Sequence, residues 1–396
     1  MRIGMAVYVD PLRYKGYFST KDYEILLENC KKDDAPAVNN LVISLLKAGH
    51  FLRVFTFSKN CFYVASEQIE IIGVQQYSKR ILRHIGGIFI DGYSLKKTIS
   101  HYIDDLDILH AHWTYAYAFG VSFYESRLPV FCTVRDWAAY IWKMQNWKGK
   151  IIWTTLLVMN SMVFKHKKIH FIANSPYTAA RIQKKYNLSV PVIPNAISNE
   201  FIKNEKHIYP EVPAILCISS SNDKRKNIIA LLKAFSLFRE KYKKAKLQLI
   251  GTPFTLDSSI VKRWMKNKLL DGVELLGKVN HNELKDYIDN SSLFVTPSLE
   301  ETFGNTLIEN QARRVPVIGG ENSGAVPYVL HHGKAGFLCD VTNPVDICDV
   351  MVDVYENQSE VRNITEYAFQ VVTTEYSELT TCNQHIKLYE YYLDKK

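Results

Sequence analysis

The chain has 396 residues, 47% of them hydrophobic, which excludes the disordered and fibrous classes and exceeds one ordinary core, so two globular domains are expected. Seven cysteines, an odd number scattered from Cys30 to Cys382 without a C-x-x-C pair, exclude a disulfide framework or thiolate zinc site and point to a reducing, cytoplasmic setting. The net charge of +9 is uneven, residues 1–195 holding 25 Lys and Arg against 14 Asp and Glu and residues 196–396 holding 24 against 26, so the first half either attracts an anionic partner or is simply well solvated.

The opening MRIGMAVYVD lacks the basic, apolar and small-residue succession of a signal peptide and reads as a strand over 2–9. Further strands are expected at 52–57, 107–112, 129–134, 170–173 and 190–193. Amphipathic helices lie between them, including 36–48, closed by Gly49, and 176–186, capped by Ser175. The segment from Trp142 to Phe171 carries Trp142, Trp147 and Trp153, an apolar middle and flanking lysines, a composition that suits a membrane-interface helix and a core helix equally. Its longest apolar run, 151–164, is too short to cross a bilayer. Turn-formers and charges cluster between 194 and 213, giving a first domain over 1–195, rejoined by a C-terminal helix over 378–396, and a second over 196–377. Strands of the second half are expected at 214–218, 246–250, 273–276, 293–297, 315–318 and 336–339, with helices between most of them. This alternation predicts an α/β protein of two Rossmann-like domains, each with a parallel sheet covered on both faces, facing a central cleft.

Ligands of such sheets bind beyond the carboxyl ends of strands, where PSLEETFGNTLIEN lies. Gly304 permits a tight turn, and the first free N–H groups of a helix starting near Asn305 suit a phosphate. Glu301 and Glu309 could accept hydrogen bonds from hydroxyls on either side of it. Each glutamate taken alone reads first as surface decoration: Glu309 precedes Arg313 by one helical turn, an exposed pair of about 0.3 to 0.5 kcal/mol. The turn SSSNDKRKN, with Asn222 or Asp223 as a cap for the helix after it, brings three cations, Lys224, Arg225 and Lys226, to another strand end. They would attract a diphosphate, or form a solvated basic turn.

Read together, PSLEETFGNTLIENQARRVPVI resembles the E-x7-E signature of family 4 (group 1) retaining glycosyltransferases. The segments LLKAGH, DILHAHW, IANSPYTAARIQKKY, VIPNAIS, KNIIALLKAF, LLGKVNHNELKDYIDNSSLFVTPSLEETFG and SGAVPYVLHHGKAGFL follow in that family's order, over nearly the whole chain. The resemblance implies the GT-B fold and hexosyl-type transfer from a nucleotide sugar, a UDP- or GDP-sugar, without a further cofactor or metal. By it, Glu309 holds the ribose hydroxyls and Glu301 those of the transferred sugar. Amides around Phe303, Gly304, Asn305 and Thr306 face the sugar and diphosphate, Ser323 and Gly324 form a small turn against the nucleotide, and Lys226 neutralises the diphosphate. The acceptor would be a saccharide, or, if the segment 142–171 lies in a membrane interface, a lipid-linked saccharide of cell-envelope polysaccharide synthesis, with Asp136 orienting it. On the same interface reading an anionic membrane surface is a further expected partner, and the expected location is cytoplasmic or peripheral on the inner face of the cell membrane.

The chain departs from the pattern in several places. Ser221 stands where an arginine precedes the phosphate lysine, with Arg225 the candidate substitute, and DDAPAVNN replaces paired glycines. Tyr328 replaces a common glutamate and Arg314 a common glycine. In TVRDW, Arg135 takes the place of a histidine near the reacting centre, a change that His110 or His112 could compensate. The pairs Asp33–Asp34 and Asp104–Asp105 read as solvated acids rather than metal ligands, and no nucleic-acid motif accompanies the basic half. A GT-B sugar-nucleotide epimerase and a catalytically silent nucleotide-sugar-binding protein are the alternatives.

Overall fold

The computed structural model describes residues 1–32, 35–77 and 86–395, so Asp33 and Asp34 lie outside the described residues. The chain forms two compact units, Met1–Ala196 with Glu378–Lys396, and Ile197–Ser377. Among the described residues, unit 1 holds seven strands: β1 Arg2–Ala6, β2 Phe51–Ser58, β3 Phe62–Ala65, β4 Ile69–Gln75, β5 Ile108–His112, β6 Val130–Val134 and β7 Ile169–Ala173. They are ordered β3-β4-β2-β1-β5-β6-β7. Every pair is parallel except β3–β4.

Residues alternating along these strands feed two cores, as a period of two requires. Ile3, Met5 and Val54 pack with Val42 and Leu45 of the helix Pro36–Lys47. Ala6, Phe55, Leu109 and Ala111 face Leu95 and Val121 on the other side. Helix ends follow local signals. Gly49, at φ +80, donates to the Leu46 carbonyl to close Pro36–Lys47, and Ser175 accepts from the Thr178 amide at 3.2 Å to open Pro176–Tyr186.

Two readings of the sequence are corrected. Residues 190–193 form no strand: Val192 makes an isolated bridge to Ala173, with Pro191 unable to donate and Pro194 following. The β3 and β4 strands were not foreseen, because this part of the sheet is a hairpin edge rather than a strand–helix repeat.

The C-terminal helix Glu378–Leu393 packs in unit 1. Its Tyr389 is fully buried, 2.7 Å from His110 Nδ1 and 5.0 Å, ring to ring, from Phe131.

Unit 2 holds six parallel strands among the described residues: β8 Ala214–Ile218, β9 Lys246–Ile250, β10 Val273–Gly277, β11 Leu293–Thr296, β12 Val317–Gly320 and β13 Phe337–Cys339. Their order is β10-β9-β8-β11-β12-β13, and alternate residues again serve two cores, Ile215 and Val295 in one and Leu216 and Phe294 in the other. In both sheets the chain lays strands to one side of the first strand and then returns to the other. Winding therefore reverses at β1/β5 and at β8/β11, and the loops leaving those strand ends diverge.

Tyr389→Ala should destabilise unit 1 by about 3 to 5 kcal/mol, the scale for deleting a buried aromatic ring. Tyr391→Ala, at a half-exposed position of the same helix, should stay within about 0.5 kcal/mol. Chemical denaturation of both variants measures the difference.

Candidate functional site

The β8/β11 reversal in unit 2 gathers most of the charged residues singled out above. After β8, Ser221 Oγ donates to Asp223 Oδ2 at 3.0 Å, while Asp223 Oδ1 accepts from the Arg225 amide at 3.0 Å. Asp223 thus caps the 3-10 turn Lys224–Lys226 and not the helix Ile228–Lys241, which starts beyond Asn227 in left-handed conformation (φ +50) without a side-chain cap. Gly251, past the end of β9, sits at φ +148, and a Cβ there would lie 1.8 Å from the Ser219 carbonyl oxygen, so only glycine lets the two loops approach.

Lys226 Nζ donates to Glu301 Oε1 at 2.5 Å. The Glu301 amide donates to the Ser323 carbonyl at 3.3 Å, and the Ala325 amide to the Glu301 carbonyl at 2.8 Å, with Gly324 at φ +67 between them. Arg225 ties the same loops together. Its carbonyl accepts from the Leu299 amide at 2.7 Å, and its Nη1 donates to the Glu300 carbonyl at 3.2 Å. That nitrogen also lies 3.7 Å from the buried Glu300 carboxylate and 3.9 Å from Glu301 Oε2. Burial would raise the Glu301 pKa, but the charges of Lys226 and Arg225 and hydrogen bonds from Lys226 and Ser298 outweigh it, holding the carboxyl below its ordinary value.

Beyond Glu301 the Phe303 ring turns into the core, 5.5 Å from Tyr376. Gly304, at φ +96, makes the turn into a helix of only seven residues, Asn305–Gln311, whose first residues Asn305 and Thr306 are half-buried. Glu309 is 8% exposed and does not pair with Arg313. Its Oε1 lies 3.7 Å from His281 Nε2, whereas Arg313 grips Asp289 through two bonds of 2.6 and 2.5 Å. Arg314 holds a left-handed φ of +56, which explains why a glycine would suit that position. The structure therefore joins Lys226, Arg225, Glu301, Ser323 and Gly324 directly and leaves Glu309 beside His281.

Arg135 and Asp136 belong to unit 1. Being adjacent past the end of β6, they diverge. Asp136 accepts from Tyr115 Oη at 2.7 Å and lines a pocket, while Arg135 Nε donates to His112 Nδ1 at 2.7 Å and its Nη1 to Asn195 Oδ1 at 2.5 Å. His110 and His112 are fully buried, and burial, joined by the charge of Arg135, pushes both well below the usual histidine range. His112 braces Arg135, whereas both ring nitrogens of His110 are engaged by Tyr389 and Thr133. Burial also lowers the Arg135 guanidinium to about 9, leaving it cationic at neutral pH. Of the acidic pairs, Asp105 is bound by Arg2 and Arg53 and Asp104 by Arg127. Among the described residues no cluster of three or more His, Cys, Asp or Glu could hold a metal. The sequence reading missed Glu300, His281, Tyr115 and Trp113. Glu300 adjoins the E-x7-E pattern and Trp113 ends DILHAHW, whereas no local signal marks the other two.

Comparison with known proteins agrees with this layout. A model described as glycosyl transferases group 1 matches residues 198–371, and one described as glycosyltransferase family 4 matches 37–201. N-acetyl-alpha-D-glucosaminyl L-malate synthase of Bacillus anthracis is 29% identical over 147 residues, 37% of this chain and 37% of that protein, so the match spans little more than a third of the relative. Among solved structures, sucrose-phosphate synthase from Thermosynechococcus elongatus superposes with a TM-score of 0.79 at 16% identity over 100% of both chains. Anabaena HepE, in complex with UDP and glucose, gives 0.68 at 14% identity over 99% of this chain and 100% of its own. With the two family models running contiguously from residue 37 to 371 and the two sheets wound alike, the chain belongs to the group 1 glycosyltransferases and has the GT-B fold.

Proposed function

We propose that the protein is a retaining glycosyltransferase that takes a sugar from a UDP- or GDP-sugar held by unit 2 and passes it to a saccharide or lipid-linked acceptor held by unit 1. The observation that carries this reading is the Lys226–Glu301 pair at the β8/β11 reversal, a cation for a diphosphate beside a carboxylate for sugar hydroxyls. The donor's diphosphate takes Lys226 from Glu301, whose freed carboxylate accepts hydroxyls of the sugar. Glu309, nearly buried about one turn into the helix Asn305–Gln311 and flanked by His281, holds the ribose. The UDP and glucose bound by Anabaena HepE support UDP-glucose as the first donor to try.

In the transfer, the acceptor oxygen bonds to the anomeric carbon while the bond from that carbon to the diphosphate oxygen breaks. The electron pair leaves with the nucleoside diphosphate, which takes the acceptor's proton. Lys226 stabilises the growing charge in a position it already occupies, so little reorganisation is required.

A role at the inner face of the cell membrane in polysaccharide synthesis is supported by the helix Trp147–Val163. Trp147 (70% exposed), Ile151, Val158 and Met162 lie along one face of it. Lys148 and Lys150 stand in its first turn, and Lys165, Lys167 and Lys168 follow it. Among the described residues no helix is long and apolar enough to cross a membrane, so association would be interfacial.

Calorimetry with UDP and UDP-glucose tests the donor assignment. Glu309→Ala should weaken both ligands by about tenfold or more, the scale of one hydrogen bond to a charged group. Glu301→Ala should leave UDP binding nearly intact and weaken the sugar nucleotide; identical behaviour of the two variants would refute it.

The depressed Glu301 pKa sets a pH dependence. Its contribution to stability is complete above the ordinary glutamate pKa of 4.5 and is lost as pH falls through the lower folded value. The stability difference between wild type and Glu301→Gln should be constant from neutral pH to about 5 and shrink below about 4.5. Denaturant titrations of both proteins across that range measure it.

Membrane association should appear as co-sedimentation with anionic vesicles that weakens as salt shortens the Debye length from about 10 Å at about 0.1 M to about 3 Å at about 1 M. Replacing Lys165, Lys167 and Lys168 with Gln should reduce it and leave nucleotide binding unchanged. Indifference to anionic vesicles at low salt would remove the membrane from the reading.

A further inference from the structure

The helix His281–Asp289 meets the segment around Glu309 at both of its own ends. At its last residue, Asp289 takes Arg313 through two bonds of 2.6 and 2.5 Å and Lys203 through one of 2.8 Å. At its first, His281 Nε2 stands 3.7 Å from Glu309 Oε1. Arg313 lies four residues after Glu309, the ordinary spacing for a partner. By engaging Asp289 it leaves the carboxylate facing a histidine instead of a permanent cation.

The imidazole is held in place. Phe201, fully buried, packs against it at 4.5 Å between ring centroids, tilted by 57°. Asn280 Oδ1 accepts from the Glu283 amide at 2.9 Å and caps the turn that carries the ring. Arg313 also donates to the Phe201 carbonyl at 3.2 Å, so the guanidinium withheld from Glu309 fixes the support of the ring that replaces it. His281 Nε2 is shielded from solvent, so the ring acts on a ligand through Glu309 rather than by touching it. The other histidines of unit 2 have different surroundings: His207 packs against Tyr209, and His331, with His332 beside it, meets Tyr367 and Glu375.

We propose that His281 is a positioning residue for Glu309 and makes the binding of nucleotide sugars sensitive to acid; this rests on the ribose role given to Glu309 above. A carboxylate that accepts from two neighbouring hydroxyls needs both of its oxygens. The neutral ring, with its proton on Nε2, offers Oε1 a polar hydrogen from just beyond the hydrogen-bond range of about 2.7 to 3.2 Å, and so turns the carboxylate without occupying it. The imidazolium is a full charge at the same place. It draws Oε1 into a charge-assisted bond that the ribose must break. Besides Glu309 on the facing helix, the charged residues near the ring along the chain are Lys278, Glu283 and Lys285, with Glu200 and Lys203 flanking Phe201. None of these is of the type that ordinarily changes charge between about pH 5 and 8.

Calorimetry on the full chain with UDP-glucose and GDP-mannose, whose diphosphate diesters hold their charge across this range, tests the proposal. Wild-type affinity for the donor that binds should fall by about tenfold or more from about pH 8 to about pH 5.5, the scale of one hydrogen bond to a charged group. His281→Phe keeps a ring against Phe201 and takes up no proton; it should bind about tenfold more weakly than wild type at about pH 8 and lose nothing further in acid. His281→Gln, which restores an N–H donor, should recover most of that loss and be equally flat with pH. In a Glu309→Gln background either substitution should change affinity by less than about twofold, because the effect runs through the carboxylate. Retention of the acid loss in both His281 variants would overturn the proposal, as would a flat wild-type profile or equal losses with and without Glu309, the mark of a merely structural role. Those results leave donor binding, and with it the transferase reading, standing; a wild-type chain that binds neither sugar nucleotide at any pH sinks both.

Discussion

Both units depend on one topological constraint: a parallel sheet whose strands are added first to one side and then to the other. Crossovers between parallel strands are right-handed, so the two directions of winding place their helices on opposite faces. At the central pair no helix covers the strand ends and the loops part. The sequence fills these places with the residues least at home in a core. In unit 2 they are Asp223, Arg225, Lys226, Glu300 and Glu301; in unit 1, Trp113 and Asp136 beside the buried Arg135.

The charges of unit 2 divide their work by geometry. Arg225 offers a planar fork with several donors and spends it on backbone and carboxylate acceptors of the neighbouring loop. Lys226 is a point charge on a flexible stem with one close partner, Glu301, and is the cation that an incoming anion can take over. Loss of either carboxylate would leave a cation short of a partner in a poorly solvated place, more costly than a missing surface pair. The loop is therefore shaped without ligand by interactions that a donor would exchange rather than create, so ordering contributes little to the cost of binding.

Where local chemistry decides an element, it was legible. Ser175 and Gly49 mark helix ends because capping is settled within four residues, and the strands of unit 2 stand out because buried parallel strands read as apolar runs between turns. The E-x7-E spacing was legible as a family resemblance, with Glu301 falling against Lys226. Illegible features depend on distant partners. Tyr389 meets His110 across 279 residues of sequence, Tyr115 finds Asp136 on another strand end, and Arg313 chooses Asp289 over the glutamate one turn away. Asp223 misled differently: its capping chemistry was read correctly and assigned to the wrong turn, because the bend at Asn227 that separates turn from helix carries no signal beyond an asparagine.

The departure at Arg135 acquires a physical meaning from its partners. Because His112 accepts from Arg135 through Nδ1, its proton must sit on Nε2, and burial together with the neighbouring positive charge keeps the ring neutral. His385, lowered to about 3 by burial and by the same guanidinium, and His110 are neutral as well. Burial first, and the charge of Arg135 second to it, thus hold three rings neutral that would otherwise titrate near neutrality. The resemblance leads one to expect at position 135 a histidine, whose charge switches between about pH 5 and 8. This chain places there a charge that persists throughout that interval and surrounds it with rings that cannot share it. Asp136, the next residue along, accepts from Tyr115 and faces its pocket beside a fixed positive charge, so its electrostatic surroundings do not change with the protonation of its neighbour.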